Sequence, residues 1–150
     1  MKKKVKTLSA DATETVGHNI GASLRGGEVI ELISDLGGGK TTLTRGIVRG
    51  AGSQDHVSSP TFTISNLYES KDFTIHHFDF YRLGEAGLME HELEDIIGST
   101  DSVVIVEWSD VVAHVLPDDR LTINFGTDGE DGRTLDLEFT EKLEYLVDKL

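Results

Sequence analysis

The sequence predicts an α/β sandwich in which a mostly parallel sheet carries antiparallel additions. Three observations lead there. A largely apolar run, Val29-Ile30-Glu31-Leu32-Ile33, feeds a glycine-rich turn that opens a helical stretch. A second run, Val103-Val104-Ile105-Val106, has the unbroken hydrophobicity of a strand covered on both faces. Near the end, residues 120–125 and 134–139 alternate in polarity around a Gly/Asp-rich connection, the pattern of an antiparallel pair.

Taken in order, residues 4–8 read as a short strand. Ser9 is placed to cap a helix over residues 10–24, which Arg25-Gly26-Gly27 ends. Residues 28–33 form a buried strand. The next helix spans residues 40–51 and is closed by Gly50 and Gly52. Residues 61–69 and 73–78 are β-rich and joined by Ser70-Lys71-Asp72, which predicts a hairpin. Residues 84–94 are helical and acidic, and Leu116-Pro117 breaks the chain after the apolar strand. Residues 126–132 are expected as a loop and residues 141–150 as a short closing helix.

At 150 residues the chain is expected to be one domain, residues 1–150, with enough length for a core that needs no disulfide. It has no cysteine, which suits a reducing compartment. The basic start, Met1-Lys2-Lys3-Lys4-Val5-Lys6, lacks the apolar stretch of a signal peptide, and no apolar run is long enough to cross a membrane. A cytoplasmic protein is the expectation. The net charge of −13 repels phosphate backbones, so stand-alone nucleic-acid binding is disfavoured. The Lys-rich start reads as the solvated edge of the first strand.

The segment Ser34-Asp35-Leu36-Gly37-Gly38-Gly39-Lys40-Thr41-Thr42 carries the most specific chemistry. Strand, glycine-rich turn, Lys-Thr and helix occur in the order of a P-loop. Glycines let successive backbone N–H groups turn inward as an anion nest, and the helix N-terminus adds its positive dipole end. Lys40 is placed for the β/γ-phosphates and Thr41 for Mg²⁺. Ser34 stands where the pattern has its first Gly. The fold expectation sharpens to a P-loop NTPase-like three-layer sandwich.

Glu107 ends the apolar run at 103–106, where ligands of open α/β sheets sit. It can hold Mg²⁺ directly, through water, or orient an attacking water. Trp108 either walls the site or packs in the core. In His77-Phe78-Asp79-Phe80-Tyr81-Arg82, strand alternation puts His77 and Asp79 on one face and the phenylalanines on the other. Asp79 is then a second carboxylate near the metal or an orienter of its ligands. Arg82 either offsets phosphate charge or makes a surface ion pair. In Ser58-Ser59-Pro60-Thr61, Ser59 or Thr61 can sense a γ-phosphate.

Asp35-Leu36-Gly37-Gly38-Gly39-Lys40-Thr41-Thr42, Ser59-Pro60-Thr61-Phe62, His77-Phe78-Asp79-Phe80-Tyr81-Arg82 and Val106-Glu107-Trp108 together resemble the bacterial TsaE family, over residues 13–133. That family supplies the ATPase component of tRNA threonylcarbamoyladenosine synthesis. The resemblance implies ATP and Mg²⁺ as ligands. It places the Walker lysine and threonine on Lys40 and Thr41, the metal-site carboxylates on Asp79 and Glu107, the loop threonine on Thr61 and the site aromatic on Trp108. It implies nucleotide contacts from Leu36, Gly37, Gly38, Gly39, Lys40, Thr41, Thr42, Trp108 and, through Gly132-Arg133, Arg133. It implies work with the TsaD and TsaB synthase pair, with tRNA met only through that complex. Two positions depart from the family: Ser34 replaces its usual Gly, and Gly38 its usual Ala.

A small-molecule kinase, a GTPase and a binding module with a degenerate P-loop are the competing readings. No arginine-rich lid favours the first, and no Asn-Lys-x-Asp favours the second. Intact Lys40, Thr41 and Glu107 argue against the third.

Overall fold

The computed structural model describes residues 1–35, 37–60, 65–81 and 87–150. The expected elements appear in order: β1 (Lys2–Thr7), α1 (Ala10–Ser23), β2 (Val29–Ile33), α2 (Lys40–Gly50), β3 (Ser65–Glu69), β4 (Thr74–Asp79), α3 (Leu88–Ile96), β5 (Ser102–Glu107), β6 (Leu121–Asp128) and β7 (Gly132–Glu138). Two 3₁₀ segments, Ser109–Val115 and Glu141–Leu146, complete the described elements.

The strands form one seven-stranded sheet in the order β1-β7-β6-β2-β5-β4-β3. The centre is parallel: β6 with β2, β2 with β5, and β5 with β4. Antiparallel pairs flank it, β3 with β4 on one side and β6–β7–β1 on the other. Alternation along the central strands divides the core into two layers. Ile30, Leu32, Val103 and Ile105 pack with α1 and α2. Val29, Val104 and Val106 pack with Leu93 of α3 and Val112 of the first 3₁₀ segment. The result is the three-layer α/β sandwich expected from the sequence.

Local chemistry explains the boundaries. The Ser9 side chain accepts from the Ala12 N–H at 3.1 Å, capping α1 as its sequence suggests. On β1, Lys2, Lys4 and Lys6 lie 3.1–3.7 Å from Glu138, Asp136 and Asp128, which charges this sheet edge and discourages further pairing.

Three expectations are corrected. Residues 126–132 are mostly strand, because Gly126 pairs with Thr134 and Asp128 with Gly132; the turn contracts to Gly129-Glu130-Asp131, with Gly129 at φ +77°. The closing segment is a 3₁₀ turn over Glu141–Leu146 rather than a helix to residue 150. So short a segment propagates few helical hydrogen bonds, and it is held by burial of Leu143 and Leu146. The acidic helix begins at Leu88, and the residues 84–86 assigned to it lie outside the described set.

Candidate active site

β2, β5 and β4 are parallel neighbours, so their carboxyl ends open on the same edge of the sheet. The P-loop leaves β2 there. Glu107 ends β5 and Asp79 ends β4, directly opposite one another in register. Glu107 also pairs with Leu32, one residue before β2 ends. Three motifs separated in sequence are therefore joined by strand pairing alone, with no long loop to order.

A cavity of about 280 Å³ lies at this edge, lined by Gly37–Thr42, Ser59, Asp79, Glu107 and Trp108. Gly37 (φ +78°) and Gly39 (φ +101°) are left-handed, which side-chain-bearing residues adopt at a cost. Gly39 is the N-cap of α2 and makes no side-chain cap bond, so the first N–H groups of that helix point toward the cavity mouth without a side-chain partner at the cap. Ser34 is not at positive φ, so its side chain fits where the motif has glycine.

Lys40 is 8 % exposed. Its Nζ donates to the Ser34 carbonyl at 3.1 Å and sits 4.7 Å from the Trp108 ring centroid. The ammonium thus bridges the loop and faces the same cavity as the carboxylates. Trp108 walls the cavity rather than joining the deep core. It is the one non-glycine at positive φ among the described residues (φ 54°, ψ 53°), and its ring packs against Tyr81 at 4.8 Å. Arg133 reaches the P-loop: its Nε donates to the Gly38 carbonyl at 3.1 Å, and its Nη1 to the Gly132 carbonyl at 2.7 Å.

The two carboxylates differ in setting. Glu107 is 2 % exposed and its Oε2 lies 2.8 Å from His77 Nε2. Asp79 is half-buried and accepts the Tyr81 N–H at 3.0 Å. Burial pushes the Asp79 carboxyl up and nearby Glu107 adds to this, outweighing the Tyr81 bond, His77 and Lys40. A cation between the two carboxylates would relieve both effects.

Asp79, Glu107 and the Thr41 hydroxyl form an oxygen-only donor set around one cavity. That chemistry fits Mg²⁺, which is bound through one or two carboxylates plus phosphate and water rather than by an all-protein cage. Among the described residues, no group of three His, Cys, Asp or Glu is placed to hold a metal.

The structure brings together Gly37, Gly38, Gly39, Lys40, Thr41, Thr42, Asp79, Glu107, Trp108 and, at the loop's flank, Arg133. Leu36, Thr61 and Arg82 lie outside the described residues. The sequence reading left His77 without a role, although two signals marked it. Alternation put it on the Asp79 face, and Glu107 ends the next apolar strand.

Known proteins share the family and the fold of this chain. A family model described as "Threonylcarbamoyl adenosine biosynthesis protein TsaE" matches residues 7–135. The chain belongs to the TsaE family. A TsaE protein of Bacillus subtilis is 35 % identical over 136 residues, covering 88 % of this chain and 82 % of that protein. One from Haemophilus influenzae is 38 % identical over 109 residues, covering 73 % and 68 %. One from Streptomyces coelicolor is 40 % identical over 111 residues, covering 72 % and 74 %. All three carry the name tRNA threonylcarbamoyladenosine biosynthesis protein TsaE. The crystal structure of Bacillus subtilis YdiB superposes with a TM-score of 0.77 at 29 % identity, over 99 % of this chain and 93 % of that one. Membership of TsaE ties the chain to threonylcarbamoyladenosine biosynthesis, and the shared architecture is P-loop-like. Among the described residues, no helix is long and apolar enough to cross a membrane.

Proposed function

We propose that this chain, acting as one ATPase domain over residues 1–150, binds and hydrolyses ATP in tRNA threonylcarbamoyladenosine synthesis. In this reading it acts on the TsaB–TsaD complex to support that complex's turnover, and meets tRNA only through it. The observation that carries the reading is the single cavity shared by the Gly37–Thr42 loop and two carboxylates from neighbouring strands.

Each residue then has a task. The backbone N–H groups of Gly37–Thr42 cradle the phosphates. Lys40 gives up the Ser34 carbonyl for the β/γ-phosphates, a short exchange of one acceptor for a more highly charged one. Thr41, Asp79 and Glu107 would hold Mg²⁺, which when bound supplies positive charge against the phosphate oxygens. Glu107 alternatively orients the attacking water. Trp108 keeps water from the Lys40 side of the cavity. Arg133 holds the Gly38 carbonyl away from the anion and brings a positive charge to the loop. Thr61 and Ser59 follow α2, where a γ-phosphate sensor is expected.

The test is ATP turnover and binding with and without TsaB–TsaD. Lys40→Ala is expected to weaken ATP binding about tenfold to a hundredfold, the worth of one charge-assisted contact. Glu107→Gln is expected to bind ATP while turnover falls about a hundredfold. Unchanged affinity in calorimetry for the first, or unchanged turnover for the second, removes the assignment. A switch role adds a separate expectation: an ATP analogue tightens association with TsaB–TsaD, and by linkage the complex tightens ATP by the same factor. Pull-downs with no nucleotide dependence would exclude it.

A further inference from the structure

His77 is fully buried on β4, on the face shared with Ile75 and covered by α1 and α2. Both ring nitrogens have partners. Nε2 lies 2.8 Å from Glu107 Oε2, and Nδ1 lies 3.4 Å from the Tyr68 hydroxyl. That hydroxyl lies 3.1 Å from the Ser58 carbonyl. The Asn66 side-chain amide donates to the same carbonyl at 3.1 Å and to the Tyr68 oxygen at 3.4 Å. Ser59, the next residue, lines the cavity with Lys40 and Glu107.

We propose that His77 is a positioning residue that couples the Glu107 carboxylate, through the Tyr68 hydroxyl, to the loop at Ser58 and Ser59. The inference rests on reading Glu107 as part of an ATPase site. The hydrogen-bond inventory carries it. An ionised carboxylate only accepts, so Nε2 bears the hydrogen, a tautomer assigned from its partners. In the neutral ring Nδ1 is then an acceptor, and the donor facing it is Tyr68. Tyr68 has one hydroxyl hydrogen and two acceptors, Ser58 and His77. The shorter distance favours Ser58 while the loop is in its present place, and Nδ1 takes the remaining share of the hydrogen. When Ser58 moves away, the hydrogen turns to Nδ1 and fixes the imidazole against Glu107. The Tyr68 rotor is thus a two-position element that the loop biases at one end and Glu107 feels at the other, which is what physical coupling between sites requires.

The variants are chosen to keep the fold. His77→Ala would strand a buried carboxylate, so it is not informative. Tyr68→Phe keeps the ring and removes the hydroxyl that makes the relay, together with its 3.4 Å bond from Asn66. His77→Gln keeps an N–H that reaches Glu107 but has no Nδ1. Tyr68→Phe is expected to lower kcat about tenfold, the effect of losing an outer partner, with ATP affinity within twofold. His77→Gln is expected to lower kcat similarly, and adding Tyr68→Phe to it is expected to change nothing further. Multiplying effects would overturn the relay, and so would wild-type kcat in Tyr68→Phe. A second readout needs no turnover: in ¹⁵N imidazole spectra of the nucleotide-free protein, His77 is expected as the Nε2–H tautomer, and Tyr68→Phe is expected to shift its Nδ1 resonance. An unmoved Nδ1 resonance overturns the coupling. Absence of turnover in the wild type would instead overturn the ATPase reading, and the spectra alone would then decide the coupling.

Discussion

Ser34 and Gly38, on either side of the turn in the P-loop, meet in space. A Cβ added at Gly38 would collide with Ser34 Oγ and lie 2.8 Å from Ser34 Cβ. Ser34 therefore occupies the volume that an alanine methyl at 38 needs, and the glycine at 38 leaves that volume to it. Along the sequence Ser34 and Gly38 are two separate departures from the resembled pattern; only their contact shows that each accommodates the other. Gly38→Ala alone is expected to lower stability by about 1–3 kcal/mol through overpacking, because Ser34 Cβ cannot swing aside. Adding Ser34→Gly is expected to recover most of that loss, a coupling of about 1 kcal/mol or more between touching residues. Urea denaturation of the two single variants and the double checks it. Additive losses would show that the loop accommodates the methyl elsewhere.

Among the elements, the pairing of α1 with α2 sets where the P-loop helix lies. Gly17 and Gly21 on α1 and Gly46 and Gly50 on α2 lie where the helices meet, and a Cβ added at any of them would run into backbone of the other helix. A methyl at Gly21 would run into the Ile47 carbonyl, and one at Gly50 into the His18 carbonyl. The axes can approach this closely only because these four positions lack side chains. Gly21→Ala is expected to cost about 1–3 kcal/mol, since the helix-propensity gain of about 1 kcal/mol offsets only part of the clash with rigid backbone. A raised melting temperature would show that the helices part freely. The sequence showed these glycines but not their use: Gly50 read as a helix stop, because a close approach between segments thirty residues apart leaves no local period. Strand ends were legible for the opposite reason. Residues 103–106 are apolar without interruption and stop at a carboxylate, so both the central strand and the position of Glu107 followed from local pattern. Which strands neighbour β5 did not follow, and that adjacency is what sets Asp79 opposite Glu107.

Across the whole molecule, an acidic chain brings two cations to its P-loop. Lys40 and Arg133 both touch the P-loop, while a buried carboxylate lies behind it on the same strand. Glu31, in the middle of β2, is 5 % exposed. It accepts from Ser109 Oγ, from Arg120 Nε at 2.8 Å and from Thr122 Oγ1 at 2.9 Å. These bonds tie the P-loop strand to the segment after Trp108 and to β6, fixing two walls of the cavity relative to each other. Burial alone pushes the Glu31 carboxyl up, but the three hydrogen bonds and the Arg120 charge outweigh it and hold it below the ordinary glutamate range. The sign follows from linkage. A carboxyl whose folded value is depressed adds stability that is fully present above its unfolded value and is lost as pH falls through the folded one. Glu31→Gln keeps the shape, removes the charge and puts an amide N–H₂ either opposite Ser109 or opposite Arg120 and Thr122, where the carboxylate oxygen had accepted. It is expected to destabilise the protein at pH 7 by about 1.5–3 kcal/mol, the worth of a hydrogen bond to a charged group. The deficit is expected to shrink as pH falls below the ordinary carboxylate range, where the wild type gives up the same contribution. Urea midpoints of both proteins across that range test the pair: parallel curves would mean that Glu31 is held by packing and not by its charge.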